Sequence, residues 1–252
     1  MLSVFRLILL ATLFAPFGPI ADTGEEFIFR AHYKIFSGPL VIGESTRTLK
    51  KIDDINYSFE SNSYATGIAR LLVDRQVREH SRLQVVDNRI IPVEYIYQKF
   101  EGNLVKKVTS LFDWKTSLVR NHIENLEKNK YSRIELPLAN GMLDKLLYQY
   151  AIMHDLQNGI FPVEYLIADS RKIKTYSFEN AGKESVATPS GTIDTVKLLR
   201  QNKNDRDDEK VIIWCASVYN FLPVKIETVH DDGSTITAMI QKLVSSNTTT
   251  VF

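Results

Sequence analysis

Apolar and polar residues alternate along most of this chain. Phe27, Phe29, Ala31, Tyr33 and Ile35 occupy every second position, and Ile55, Tyr57 and Phe59 repeat the pattern with Ser58, Glu60 and Asn62 on the other face. A period of two marks half-buried strands, because successive side chains of a strand point to opposite sides. The same period returns over 92–100, 105–112, 118–123, 163–169, 172–178, 192–199, 211–214, 224–229 and 236–243. Turn-forming residues separate the runs: Gly38-Pro39, Asp87-Asn88, Glu101-Gly102-Asn103, Asn180-Ala181-Gly182 and Asp231-Asp232-Gly233. Connections this short join antiparallel neighbours, since parallel neighbours need a crossover of about a dozen residues or more. About a dozen strands in one sheet accumulate twist. The expected fold is therefore mainly β, a strongly curved antiparallel sheet in the form of a half-barrel or a barrel.

One segment breaks the period. From Asn140 to Asn158 the apolar residues Leu143, Leu146, Leu147, Tyr150 and Met153 recur at steps of three and four, which predicts a helix over about 140–158. Asn140 is placed to cap its start, and Gly159 to follow its last turn. Met142, Ile152 and Leu156 widen the apolar stripe, so the helix is expected to pack against the concave side of the sheet. Gln201 to Lys210 reads as a mixed-charge hairpin tip, and 246–252 as a flexible Ser/Thr-rich tail. Residues 22–245 form a single expected domain.

The first 21 residues have a different character. Arg6 precedes an apolar run from Leu7 to Phe14, and Pro16, Gly18 and Pro19 end any helix. That run is about half of the ~18 apolar residues needed to cross a bilayer, so it reads as a cleaved export signal rather than an anchor. The expected location is the periplasm, the alternative being an N-terminal tether to the inner membrane. The chain holds 31 basic and 30 acidic side chains, and residues 1–21 contain only Arg6, which leaves 30 against 30. A nucleic-acid-binding domain normally shows several net positive charges, so that class is disfavoured. With Cys215 as the only cysteine, no intramolecular disulfide can form and the apolar core must hold the fold.

Candidate chemistry is sparse. The chain contains no glycine-rich dinucleotide or phosphate loop, no zinc-protease helix motif and no nucleophile elbow. His32, His80, His122, His154 and His230 sit on separate elements without metal-ligand spacing, and no metal or cofactor is expected. Asp113, between Phe112 and Trp114, is read as a turn acceptor for the amides of Lys115 and Thr116, in preference to a general acid. Asp144 is expected in the first helical turns, where the helix dipole lowers a carboxyl pKa. Thr188-Pro189-Ser190-Gly191-Thr192 reads as a tight turn. The positive signal is aromatic: Tyr95, Tyr97 and Tyr176 on strands, Tyr148 and Tyr150 on the helix, and Trp114 and Trp214 at strand ends are candidates to line an apolar groove. A solid core with tyrosine hydroxyls bonded at its rim is the competing reading.

Several segments, taken in order, resemble the exported bacterial family known as domain of unknown function 3108. They are Pro92-Val93-Glu94-Tyr95, Phe112-Asp113-Trp114, Asn140-Gly141-Met142-Leu143-Asp144, Ala168-Asp169 with Lys174-Thr175-Tyr176, Thr188 to Thr192, and Trp214 with Leu222-Pro223-Val224-Lys225-Ile226. The resemblance runs from about Glu25 to Leu243. It departs after the tryptophan, where the family tends to carry Ala-Pro-Asp and this chain reads Cys215-Ala216-Ser217-Val218. It implies a strand-rich envelope protein of a Gram-negative bacterium, with Tyr95, Asp113, Trp114, Asp144, Tyr176, Gly191, Trp214, Pro223 and Lys225 as recurrent residues and no catalytic roles attached.

Together these readings favour a non-enzymatic periplasmic binding or scaffold protein that holds an apolar or lipid-like ligand or an envelope partner. Two alternatives stay open: an envelope hydrolase using carboxylates such as Asp113 or Asp144, and a protein-assembly factor that accepts a partner strand at a sheet edge.

Overall fold

The computed structural model describes residues 26–72, 74–161, 164–189, 191–202, 210–246 and 248–251. The expected export signal at 1–21 and most of the expected hairpin tip lie outside the described residues.

The chain is mainly β. It begins as a meander of eight strands: β1 (Glu26–Ser37), β2 (Leu40–Lys51), β3 (Asn56–Ala65), β4 (Arg75–Val86), β5 (Arg89–Glu101), β6 (Asn103–Asp113), β7 (Leu118–Asn125) and β8 (Lys130–Pro137). A short helix α1 (Gly67–Leu72) interrupts it between β3 and β4. After β9 (Leu143–Asp144) and helix α2 (Leu147–Gln157), a second meander runs through β10 (Glu164–Asp169), β11 (Lys172–Thr188), β12 (Gly191–Asn202), β13 (Lys210–Ala216), β14 (Leu222–Val229) and β15 (Thr235–Ser245). Thr248–Val251, in the segment expected to be a loose tail, pairs with β15 as β16.

All strands belong to one sheet. Its hydrogen-bonded path runs from β8 back to β1, crosses to β15, and then descends from β14 to β9 without closing. The two meanders join where β1 pairs antiparallel with β15, with Tyr33 opposite Ile240. Every pairing is antiparallel except β9 with β10, which is parallel and spanned by α2 as its crossover. The described sheet is therefore mostly antiparallel, as the short connections imply, with this one parallel pair.

Local sequence explains most boundaries. Asp87 and Asn88 both take positive φ in the two-residue turn between β4 and β5, the backbone that matches strand twist in a tight hairpin. Asn180 to Gly182 proves to be a bulge inside β11 and not a turn: pairing with β12 shifts between Asn180 and Lys183, and the Asn180 side chain accepts the Gly182 amide. Helix α2 ends as expected at Gly159, where the amides of Gly159 and Ile160 bond back to the carbonyls of Leu156 and Asp155.

Helix α2 starts later than expected. Residues 140–146 are turns around the two-residue β9, so Asn140 does not cap a helix and Asp144 precedes it. The Asp144 carboxylate accepts the amides of Leu146 and Leu147, both at 2.8 Å, which supplies the opening turn with its acceptor.

Two strands, β2 and β4, carry no clear alternation, and register shows why. One row crosses seven strands as Phe29, Leu49, Phe59, Ser81, Tyr95, Ser110 and Asn121, all buried. The next row on that face is Ala31, Arg47, Ser61, Glu79, Tyr97, Val108 and Ile123. Serines, an arginine and a glutamate occupy the covered side, and that erases the two-residue period. β9 and α2 lie against this face: Ser81 bonds Asp144, and the rings of Phe59 and Tyr150 stand 6.2 Å apart.

Candidate functional site

A cleft of about 590 Å³ opens beside α2. The β4–β5 hairpin supplies Gln84, Asn88, Arg89, Ile90 and Ile91, and the chain after β6 adds Trp114. Opposite them stand Asn140, Gly141 and Leu143, then Ala151, His154 and Asp155 of α2, and Tyr165 of β10. The polar groups are already organised. His154 Nε2 and the Asn88 side-chain oxygen are 3.0 Å apart, which ties the helix to the hairpin tip. Tyr165 donates its hydroxyl to Asp155 at 2.5 Å, and Trp114 donates its indole N–H to the Pro92 carbonyl at 2.9 Å. Burial and the Asp155 carboxylate together push the Tyr165 phenol far up, so it remains a donor. The arrangement is an apolar floor with a fixed polar rim, suited to binding a small molecule. A second cleft of about 410 Å³ lies on another side of α2, between Phe29, Leu49, Tyr150, Met153 and Leu222.

Behind the first cleft lies a buried acidic cluster. Asp144 is fully buried, and its Oδ1 accepts the Ser81 hydroxyl at 3.0 Å besides the two helix amides. Its Oδ2 is buried without a partner. Burial outweighs those three bonds, and with nearby Glu79 it raises the carboxyl to about 7. This reverses the expected lowering by the helix dipole, because desolvation of a wholly enclosed charge exceeds a helix-end effect. Glu79 is also raised by burial, and it accepts the Tyr95 hydroxyl at 2.6 Å.

The aromatic residues expected to share one groove are dispersed. Trp114 lines the first cleft and Tyr150 the second. Tyr148 and Tyr176 meet edge to face at 5.2 Å, with the buried Arg200 guanidinium 4.3 Å from the Tyr176 ring and bonded to Tyr148. Tyr95 serves Glu79, while Trp214 is buried between the ammonium groups of Lys197 and Lys225. Among the motif residues, Asp113 accepts the amides of Lys115 and Thr116 as expected and also binds Arg120. Gly191 closes the β11–β12 turn, where its carbonyl accepts the Thr188 hydroxyl. The Pro223 carbonyl accepts Tyr33, and Lys225 pairs with Glu227. Asp113 and Asp144 therefore each serve backbone amides; the acid that acts on Asp144 is Glu79. Sequence reasoning missed Glu79, His154, Asp155 and Tyr165. The adjacent His154 and Asp155, on a helix with no other acidic or basic side chain, were the visible signal.

A family profile described as "Protein of unknown function (DUF3108)" matches residues 29–241. The chain belongs to the DUF3108 family. The match takes in every residue of the cleft and of the acidic cluster. No curated protein matches this DUF3108 chain. Among solved structures, it resembles a beta-barrel-like protein of domain of unknown function DUF1849 from Brucella abortus, at 10% identity and a TM-score of 0.59, over 88% of this chain and 99% of that one. At that identity the likeness speaks for the fold. A candidate exported protein with YmcC-like fold from Bacteroides fragilis aligns at 7% identity and a TM-score of 0.40, over 87% of this chain and 100% of that one.

Proposed function

We propose that this DUF3108 protein is an exported binding protein without catalytic activity, and that the cleft beside α2 holds a small amphipathic or lipid-like molecule. In this reading the sheet curls as a half-barrel around α2, which is the arrangement that lets Ser81 in one meander reach Asp144 beside the far end of the path. The observation that carries the proposal is the cleft itself. Its volume falls within the ~300–1,000 Å³ typical of small-molecule sites. Ile90, Ile91, Leu143 and the Trp114 ring offer hydrocarbon contact, and Asn88, His154 and Asp155 hold polar groups at one edge. Neither Asp113 nor Asp144 is placed to act on a substrate, since one is engaged by Arg120 and the other is wholly enclosed.

The test is extraction of the purified protein with organic solvent followed by mass spectrometry, together with titration by an environment-sensitive fluorescent fatty acid. A co-purifying amphiphile, or saturable binding abolished by Ala151→Trp, supports the reading. A chain that yields no molecule and leaves the probe unbound refutes it. The expected export signal is tested separately by the mass of the protein recovered from the periplasm, which should lack about the first 21 residues.

The open path also leaves β8 as an edge strand, the feature a strand-accepting assembly factor requires. Lys130, Arg133 and Pro137 stand on that strand, and charges and proline are residues that discourage edge pairing. The cleft is therefore the better-supported site.

A further inference from the structure

We infer that the junction between Asp144 and Ser81 is an acid-driven lock on the cleft: proton uptake by the Glu79–Asp144 pair seats β9 and the start of α2 against β4, and proton loss loosens them. The use of the lock rests on the cleft being a binding site. The lock itself is a property of the apo fold.

The geometry places the lock at the cleft wall. Leu143, adjacent to Asp144, lines the cleft, as do Ala151 and His154 on the helix whose opening amides Asp144 holds. Only two residues of β9 pair with β10, Leu143 with Ile167 and Asp144 with Ala168, so few ladder hydrogen bonds hold the strand. One carboxyl oxygen takes all three donors, while the other is sealed from solvent with none. An ionised Asp144 must therefore keep an uncompensated charge among Met142, Leu143, Leu146 and Leu147, all buried.

The surrounding charges do not relieve it. Glu79 of β4 adds repulsion, and Tyr95 of β5 is neutral and committed to Glu79. Arg47 of β2 and Lys145 act favourably on Glu79, but Lys145 pairs with Asp169 at 3.3 Å. Both acids are raised above their ordinary values, so the folded state holds protons that the released state gives up. The lock is strongest below about pH 4, and it weakens as pH rises through about 7.

Hydrogen exchange on the ligand-free full chain, read by mass spectrometry and corrected for intrinsic rates, tests this directly. Segment 143–153 should lose protection between pH 5.5 and pH 8, by about tenfold or more, while β13 and β14 change little; one proton allows at most about tenfold per pH unit. Asp144→Asn keeps an oxygen for the three donors and removes the charge, so it should remove most of the pH trend and leave only the part that Glu79 contributes. Glu79→Gln, which still accepts Tyr95, should reduce it and serves as the second variant. An unchanged trend in both variants, or loss of protection spread evenly over the chain, overturns the lock. A pH trend confined to 143–153, in a protein that binds no amphiphile, would leave the lock standing and defeat only the binding reading.

Discussion

Tyr33 donates its hydroxyl to the Pro223 carbonyl at 2.9 Å, a buried bond between residues 190 apart in sequence. Tyr33 lies on β1 and Pro223 on β14, with β15 between them in the sheet, so the side chain stitches the two meanders together. The carbonyl sits where β13–β14 pairing shifts between Trp214 and Cys215. Burial pushes the Tyr33 phenol up to about 12, which keeps it a donor at all ordinary pH. Tyr33→Phe should cost about 1–2 kcal/mol in urea denaturation, with the slope unchanged.

Gly43 is required by proximity. A Cβ there would stand 2.8 Å from the backbone carbonyl oxygen of Tyr64. Gly43 pairs with Ile35 on one side and Ala65 on the other, beside a register shift in β1, so neither neighbouring backbone can withdraw freely. Gly43→Ala is expected to destabilise by about 1–3 kcal/mol, measured as a lowered thermal midpoint.

Two aspartates give the pH profile opposite slopes. Bonds from Arg120 and from the Thr116 side chain and amide hold the Asp113 carboxyl well below the usual range, so its stabilisation is present above about pH 4 and is lost in acid. Asp144 is raised to about 7, so its contribution is lost as pH climbs from about 4 through 7. Stability to urea should therefore peak near pH 4 and fall on either side. Asp144→Asn should flatten the alkaline limb, a gain on the order of 2–4 kcal/mol at pH 8, and Asp113→Asn should flatten the acid limb.

Cys215 is fully enclosed, and burial alone pushes its thiol up. The reactive thiolate is scarce and out of reach. Alkylation of the native protein should run at least ~10²-fold slower than in denaturant, which a timed iodoacetamide reaction would measure.

The meanders were legible because their covered faces are apolar on most strands, as at Phe29, Ala31 and Tyr33, and because Asp87-Asn88 and Asp231 to Gly233 punctuate them. β2 and β4 were not, since Ser45, Arg47, Glu79 and Ser81 face the covered side and look, in one dimension, like solvent-facing residues. The helix was overextended for a related reason. Leu143 and Leu146 fit a three-to-four step whether they sit on a helix or on a turn buried from several directions. The cleft was only partly visible: of the aromatic set, Trp114 alone reaches it.

Alternation, turn chemistry and the helix stop at Gly159 are local properties, settled within a few residues by sterics and backbone bonding, and the sequence by itself determined them. Family membership followed from the order of such local motifs. What encloses Asp144, sets Glu79 near it and draws Asn88 to His154 is the meeting of segments about 65 residues apart. Only the tertiary structure decided those, because desolvation of a charge depends on everything packed around it and on nothing written beside it in the chain.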